Sequence, residues 1–139
     1  MRLLIGLAFA CLGTAAAAAD APTEIPLDTV VQLPGVDIGC TGIGQTKADP
    51  QWRAFPARVE FANAAREYLS DEAVTVSDSA GQVLASVRCQ GPWILIRPAK
   101  AGVYRIEGSL TGSSATPRTA TFKTPLKGQQ RIVLTFPDA

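Results

Sequence analysis

Between Ala73 and Leu110 apolar and polar residues alternate with period two through successive short runs. Alternate side chains of a strand face opposite sides of a sheet, so this pattern makes one face of each run apolar and excludes most helical folds. Val74 and Val76 oppose Thr75 and Ser77, and Val83, Ala85 and Val87 oppose Leu84, Ser86 and Arg88. Asp78-Ser79-Ala80-Gly81 between them predicts a tight hairpin turn, because Asp bonds its own backbone two residues on and Gly accepts positive φ. Trp93-Ile94-Leu95-Ile96 is apolar on both faces, as a central strand covered on both sides requires. Pro98 to Gly102 turns the chain into a fourth run, where Tyr104, Ile106 and Leu110 oppose Arg105, Glu107 and Ser109.

The same texture extends in both directions. Val59 and Phe61 alternate with Arg58 and Glu60 from Ala57 onward, and Asn63 to Glu67 reads as a linker before Tyr68-Leu69. Downstream, Ala120 and Phe122 form one inward face. Ile132, Leu134 and Phe136 form another, against Arg131, Val133 and Thr135. Residues 20–56 are less regular. Asp20 to Glu24 reads as a flexible start, Thr29 to Leu33 as one strand and Gly35 to Gly44 as a loop. Asp49-Pro50-Gln51-Trp52 is a helix-start signature, giving a short helical turn near 49–54 that Pro56 ends. Such a turn persists only if Trp52 packs on the sheet. These elements predict an all-β fold: a seven- to eight-stranded antiparallel β-sandwich, transthyretin-like or immunoglobulin-like, over 57–139, with 20–56 packed on it as part of one domain.

The N-terminus carries Arg2, an apolar run from Leu3 to Leu12 and small residues from Ala15 to Ala19, the anatomy of a secretory signal over residues 1–19. The run is too short to span a bilayer. A lipoprotein cut before Cys11 is disfavoured, because the apolar run would be very short and Ala8-Phe9-Ala10 fits a lipobox poorly. Removing Arg2 from the thirteen basic residues leaves as many as the twelve acidic ones. That balance argues against nucleic acid or an anionic membrane as partner. Cys11 leaves with the signal, and Cys40 and Cys89 remain as an even pair in an oxidising compartment, here the periplasm, which predicts one disulfide. A redox-active pair is the weaker reading, since the C-x-x-C spacing is absent.

Several of these segments resemble a known group. Gly39 to Gly44 (GCTGIG), Val59-Glu60-Phe61-Ala62, Tyr68-Leu69-Ser70-Asp71, Val74 to Gly81, Gly91-Pro92-Trp93 and the Pro98…Gly102-Val103-Tyr104 turn are similar to those of small exported bacterial proteins called carboxypeptidase regulatory-like. The last element resembles a turn of the transthyretin-like accessory domain in metallocarboxypeptidases. The resemblance spans most of residues 36–137 and implies a stabilising, spacing or binding module rather than a catalyst. This chain holds no peptidase domain, so a regulatory role towards one is not implied. Transthyretin-like hydrolases of urate breakdown rely on His, and this chain has none. Pilin-type cross-linking of Lys to Asn or Asp is disfavoured, because Asn63 is the sole Asn and is expected to lie far from a last strand.

The missing His excludes Ser-His-Asp and Cys-His catalysis and removes the commonest zinc ligand. Gly39-x-x-Gly42-x-Gly44 lacks the helix and Lys-Ser/Thr ending of a phosphate loop, so it reads as a structural turn. Asp71, Glu72 and Asp78 read as solvated strand ends, since calcium needs six or more oxygens and nothing shows these converging. No cofactor, metal or catalytic residue is therefore expected. Trp93, Trp52, Tyr68 and Arg97 are the candidate ligand or partner contacts, because amphipathic aromatics and Arg are enriched where proteins bind. Tyr104 shares a face with Ile106 and reads as core. Arg88, Arg97 and Arg105 could form an outward cationic row. The expectation is a non-enzymatic periplasmic module that meets an unknown protein or glycan of the cell envelope. The alternatives are a carbohydrate- or peptidoglycan-binding module and an inhibitor of a cell-wall hydrolase.

Overall fold

A computed structural model describes residues 21–139; the expected signal segment, its expected cut after Ala19 and the Cys11 alternative lie outside the described residues. Ten strands run in chain order: β1 Thr23–Ile25, β2 Thr29–Leu33, β3 Val36–Thr41, β4 Ala57–Ala62, β5 Glu72–Ser77, β6 Val83–Cys89, β7 Trp93–Pro98, β8 Gly102–Leu110, β9 Arg118–Thr124 and β10 Gln130–Thr135. They form two five-stranded sheets, ordered β1-β6-β5-β8-β9 and β10-β4-β7-β3-β2. The all-β expectation is met and its details are corrected. Both sheets are mixed rather than antiparallel, because β1 runs parallel to β6 and β10 runs parallel to β4. Among the described residues there are ten strands, seven of them within 57–139 and three within residues 23–41, where one was expected.

β2 coincides with the strand expected at Thr29–Leu33, and the other two fall where none was expected. The presumed flexible start holds β1, which is short and sits on an edge. The presumed loop holds β3, which pairs with both β2 and β7. Gly39 disguised it. A Cβ there would sit 2.9 Å from the Trp52 ring, so the strand needs glycine for the ring to pack closely on its backbone. Residues 23–41 are thus woven into both sheets rather than laid on them.

From Glu72 onward the sequence pattern and the strands agree. Asp78 builds the β5–β6 turn, its Oδ1 accepting from the Ala80 and Gln82 amides at 3.0 and 2.9 Å. A register shift at Val76/Ser77 breaks the alternation, so Val83 faces solvent at 57% exposure while Ala85 and Val87 stay inside. β7 then crosses to the second sheet and β8 returns to pair with β5.

The core lies between the sheets. Ile38, Val59, Phe61, Ile94, Ile96 and Leu134 of the second sheet pack with Val74, Val76, Val87, Ile106 and Phe122 of the first. Phe61 stacks on Phe136 at 5.8 Å. Gly108 admits this layer, because a Cβ there would meet Leu134 at 2.5 Å. Tyr104 is core, as expected, stacked on Phe122 with its hydroxyl donating to the Lys100 carbonyl at 2.6 Å.

Cys40 of β3 and Cys89 of β6 are joined across the two sheets, 49 residues apart in sequence. Both are fully buried, beyond the reach of a redox partner in solution. Replacing both by Ala removes a loop closure worth about 4 kcal/mol on the chain-entropy model. Urea unfolding of the double variant should show a loss of that order, and an unchanged midpoint would mean that the link adds nothing.

Candidate functional site

The second sheet is covered on its outer face as well. Pro50–Ala54 forms a 3-10 turn whose cap is Asp49, accepting from the Gln51 amide at 2.9 Å, with Pro50 at the first position. It is tighter than the helical turn expected, but Trp52 packs on the sheet as required. Trp52 and Phe55 lie on Leu95 of β7, the outward residue of an all-apolar run. Trp52 Nε1 donates to the Thr46 carbonyl at 2.8 Å, and Gln129 Nε2 donates to the Trp52 and Phe55 carbonyls at 2.7 and 3.0 Å. At 4% exposure Trp52 has no free ring face. It serves as a lid on the sheet, and a ligand cannot stack on it.

Beside this apolar cover the outer face turns polar. Glu60 stands opposite Trp93 in the β4–β7 register, and Arg131 is paired with Arg58 across β10–β4. These side chains share one face, since Arg58, Glu60, Trp93 and Leu95 alternate with the inward Val59 and Ile94. Glu60 is fully buried although it belongs to a polar alternation. A carboxylate out of water must be paired and hydrogen-bonded. Arg131 Nε donates to its Oε2, the Tyr68 hydroxyl donates to its Oε1 at 3.1 Å, and Arg58 lies 3.7 Å from Oε1. The Glu60 charge holds the Arg131 guanidinium more firmly protonated than usual.

Two of the predicted contact residues meet here. Tyr68 packs edge-on against Trp93 at 6.3 Å, and the Arg58 guanidinium lies over the Trp93 ring at 4.4 Å, with Lys47 at 5.8 Å. Trp93 is half-buried; Tyr68 keeps 49% of its surface exposed. Ala62 bridges to Tyr68, which folds the Asn63–Glu67 turn back over the end of β4. A cavity of about 370 Å³ opens between that turn and β10, lined by Ala62, Asn63, Ala64, Arg66, Tyr68, Arg131, Val133 and Thr135. Asn63 thus sits beside the last strand after all, with its amide engaged at both ends by Glu67.

Arg97 lies elsewhere. It is clamped to Asp37 at 2.9 and 3.1 Å and lies over Phe55, on the far side of the apolar cover. The outward row of arginines does not form, because Arg88 and Arg105 belong to the other sheet and each is paired, with Asp71 and Glu107. Glu60, Arg58 and Arg131 were not singled out from sequence. The available signal was an acid on β4 in the run that also carries Arg58.

The carboxylates read as solvated strand ends divide three ways. Asp78 caps its turn, Asp71 pairs with Arg88 at 2.8 Å, and Glu72 is buried. Glu72 shares the inward face of β5 with Val74 and Val76 and stands opposite Cys89. Neither carboxyl oxygen has a hydrogen-bond partner among the described residues. Burial is the main reason its pKa rises from 4.5 to about 9, opposed by the nearness of its own backbone amide and reinforced by Asp71. Among the described residues no three acidic or thiol groups converge as a metal site would require.

No protein-family model and no curated protein matches this chain. Among the described residues no helix is long and apolar enough to cross a membrane.

Glu72 gives a pH signature with a definite sign. The folded protein keeps a proton that the unfolded chain releases above about pH 4.5, so this contribution is complete below that pH and is lost as pH rises towards 9. The slope in that window is about 1.4 kcal/mol per pH unit for one proton. Urea unfolding from pH 5 to 8 should show wild type falling relative to Glu72→Gln by that slope. Parallel stability curves for the two proteins would contradict the buried, protonated carboxyl.

Proposed function

We propose that this chain is an exported, non-catalytic β-sandwich of the carboxypeptidase regulatory-like kind, working in the periplasm as a binding module. Its working surface is the polar half of the outer face of the second sheet. One observation carries this reading: the Tyr68–Trp93 pair is presented beside a cavity and held there by the buried Glu60 with Arg58 and Arg131. Fixing aromatic side chains in advance reduces the entropy lost on binding, which is how a small surface gains affinity. Burying a carboxylate on a solvent-facing layer lowers stability unless all its partners are in place. A protein that needed only a spacer could fill that position with an apolar side chain.

The family and the transthyretin-like topology within it are proposals resting on the sequence motifs from Gly39 to Tyr104. The two-sheet architecture is compatible with them, and the disulfide is compatible with export. A glycan-binding role follows more naturally from this face than inhibition of a hydrolase, because the exposed feature is a rigid aromatic step beside a concave site rather than a protruding loop.

Tryptophan fluorescence separates the two indoles, since Trp52 is sealed under its cover and Trp93 borders the candidate surface. Titration with soluble peptidoglycan fragments and neutral glycans should change the emission of wild type, and Trp93→Phe should abolish the change while Trp52 still emits. No response to any of these ligands would remove the glycan reading.

A further inference from the structure

The cavity beside Tyr68 has a one-sided charge. Its lining contains two guanidinium groups, Arg66 and Arg131, and no carboxylate. Arg131 uses Nε on Glu60 and lies beside the Tyr68 hydroxyl. Its side chain remains 57% exposed. Arg66 joins none of the ion pairs among the described residues.

The position of Arg66 is built rather than incidental. Its φ of 65° lies in the left-handed region, which a non-glycine residue rarely enters. A closed set of bonds holds it there. The Arg66 amide donates to the Asn63 carbonyl, the Asn63 amide to the Glu67 carbonyl, and the Glu67 amide to Asn63 Oδ1, each at 3.0 Å. Asn63 Nδ2 also donates to Glu67 Oε2 at 3.1 Å, which engages the carboxylate of the neighbouring residue. Strain of this kind persists only where surrounding contacts enforce it, and here it sets a second guanidinium on the cavity.

We propose that this cavity binds the carboxylate of a sugar acid, with the charge between Arg66 and Arg131 and the pyranose ring on Tyr68. This rests on the reading of the same face as a binding surface and adds the ligand class to it. Guanidinium forks match carboxylates in geometry as well as charge. Tyr68 supplies a fixed aromatic ring beside them, its hydroxyl already engaged by Glu60 and its plane set roughly perpendicular to that of Trp93. Small side chains, Ala62, Ala64 and Thr135, complete the lining and leave room for a ring. An extended peptide would need a longer apolar groove, and this lining has one sizeable aliphatic side chain, Val133.

A matched pair of ligands tests the assignment. The disaccharide of N-acetylglucosamine and N-acetylmuramic acid carries a lactyl carboxylate that N,N′-diacetylchitobiose lacks. Isothermal titration of the wild-type protein should show the acid binding at least about tenfold more tightly, with the preference shrinking as salt is added. Arg66→Asn removes the charge with a residue that tolerates the left-handed backbone, and should erase the preference while retaining chitobiose binding. Its thermal midpoint reports whether the turn survives. Equal binding of the two disaccharides would overturn the carboxylate assignment and leave the glycan surface standing. A preference that survives Arg66→Asn would also overturn it. Binding of acetyl-D-alanyl-D-alanine in place of either sugar would keep the charge recognition but refute the sugar. Binding of none of the three would refute the surface itself.

Discussion

A charged carboxylate with no solvent exposure on the outer layer of a sheet imposes strict conditions on everything around it. Glu60 is such a group, and its three partners come from separate parts of the chain: Arg58 two residues away on its own strand, Tyr68 after a turn, and Arg131 on the final strand. Removing one partner from a buried ion leaves an uncompensated charge, which costs far more than the pair contributes. The acid therefore fixes the register of β10 on β4 and the return of the chain at Tyr68. It also ensures that an aromatic ring and a guanidinium are found in fixed places at the surface.

The rest of the molecule supports that corner. β7 is the middle strand of its sheet and is covered on both faces, by the interlayer core within and by Trp52 and Phe55 without. Trp93 begins this strand, so its position is set by a strand that cannot shift without opening two apolar layers. The disulfide joins the next strand, β3, to the opposite sheet. Rigid backing of this kind distinguishes a poised surface from a collection of exposed side chains.

Where apolar residues alternate cleanly, the architecture was legible in the sequence. β5 to β8, the Asp78 turn, the double-sided character of β7 and the packing of Trp52 all follow from local pattern and turn chemistry. What escaped was non-local. β3 was hidden because Gly39 makes room for a tryptophan thirteen residues on, and glycine in a short segment reads as loop. The parallel pairing of β1 and β10 is a property of the whole sheet and leaves no trace in a single strand. Of the candidate contacts, Trp93 and Tyr68 come together, whereas Trp52 forms part of the cover and Arg97 is across it. The acid and two arginines that organise the corner sit at ordinary outward positions of alternating strands. Their meeting depends on the β10–β4 pairing, which the sequence pattern does not specify.

The central claim is that Glu60 holds Tyr68 in place through a bond to a buried charge. A double-mutant cycle on folding stability with Glu60→Gln and Tyr68→Phe measures that link directly. The account predicts a coupling of about 1 kcal/mol or more, since the phenol donates to a charged acceptor out of water. Strict additivity of the two substitutions would show that Tyr68 is held by its neighbours alone and that the acid does not organise this surface.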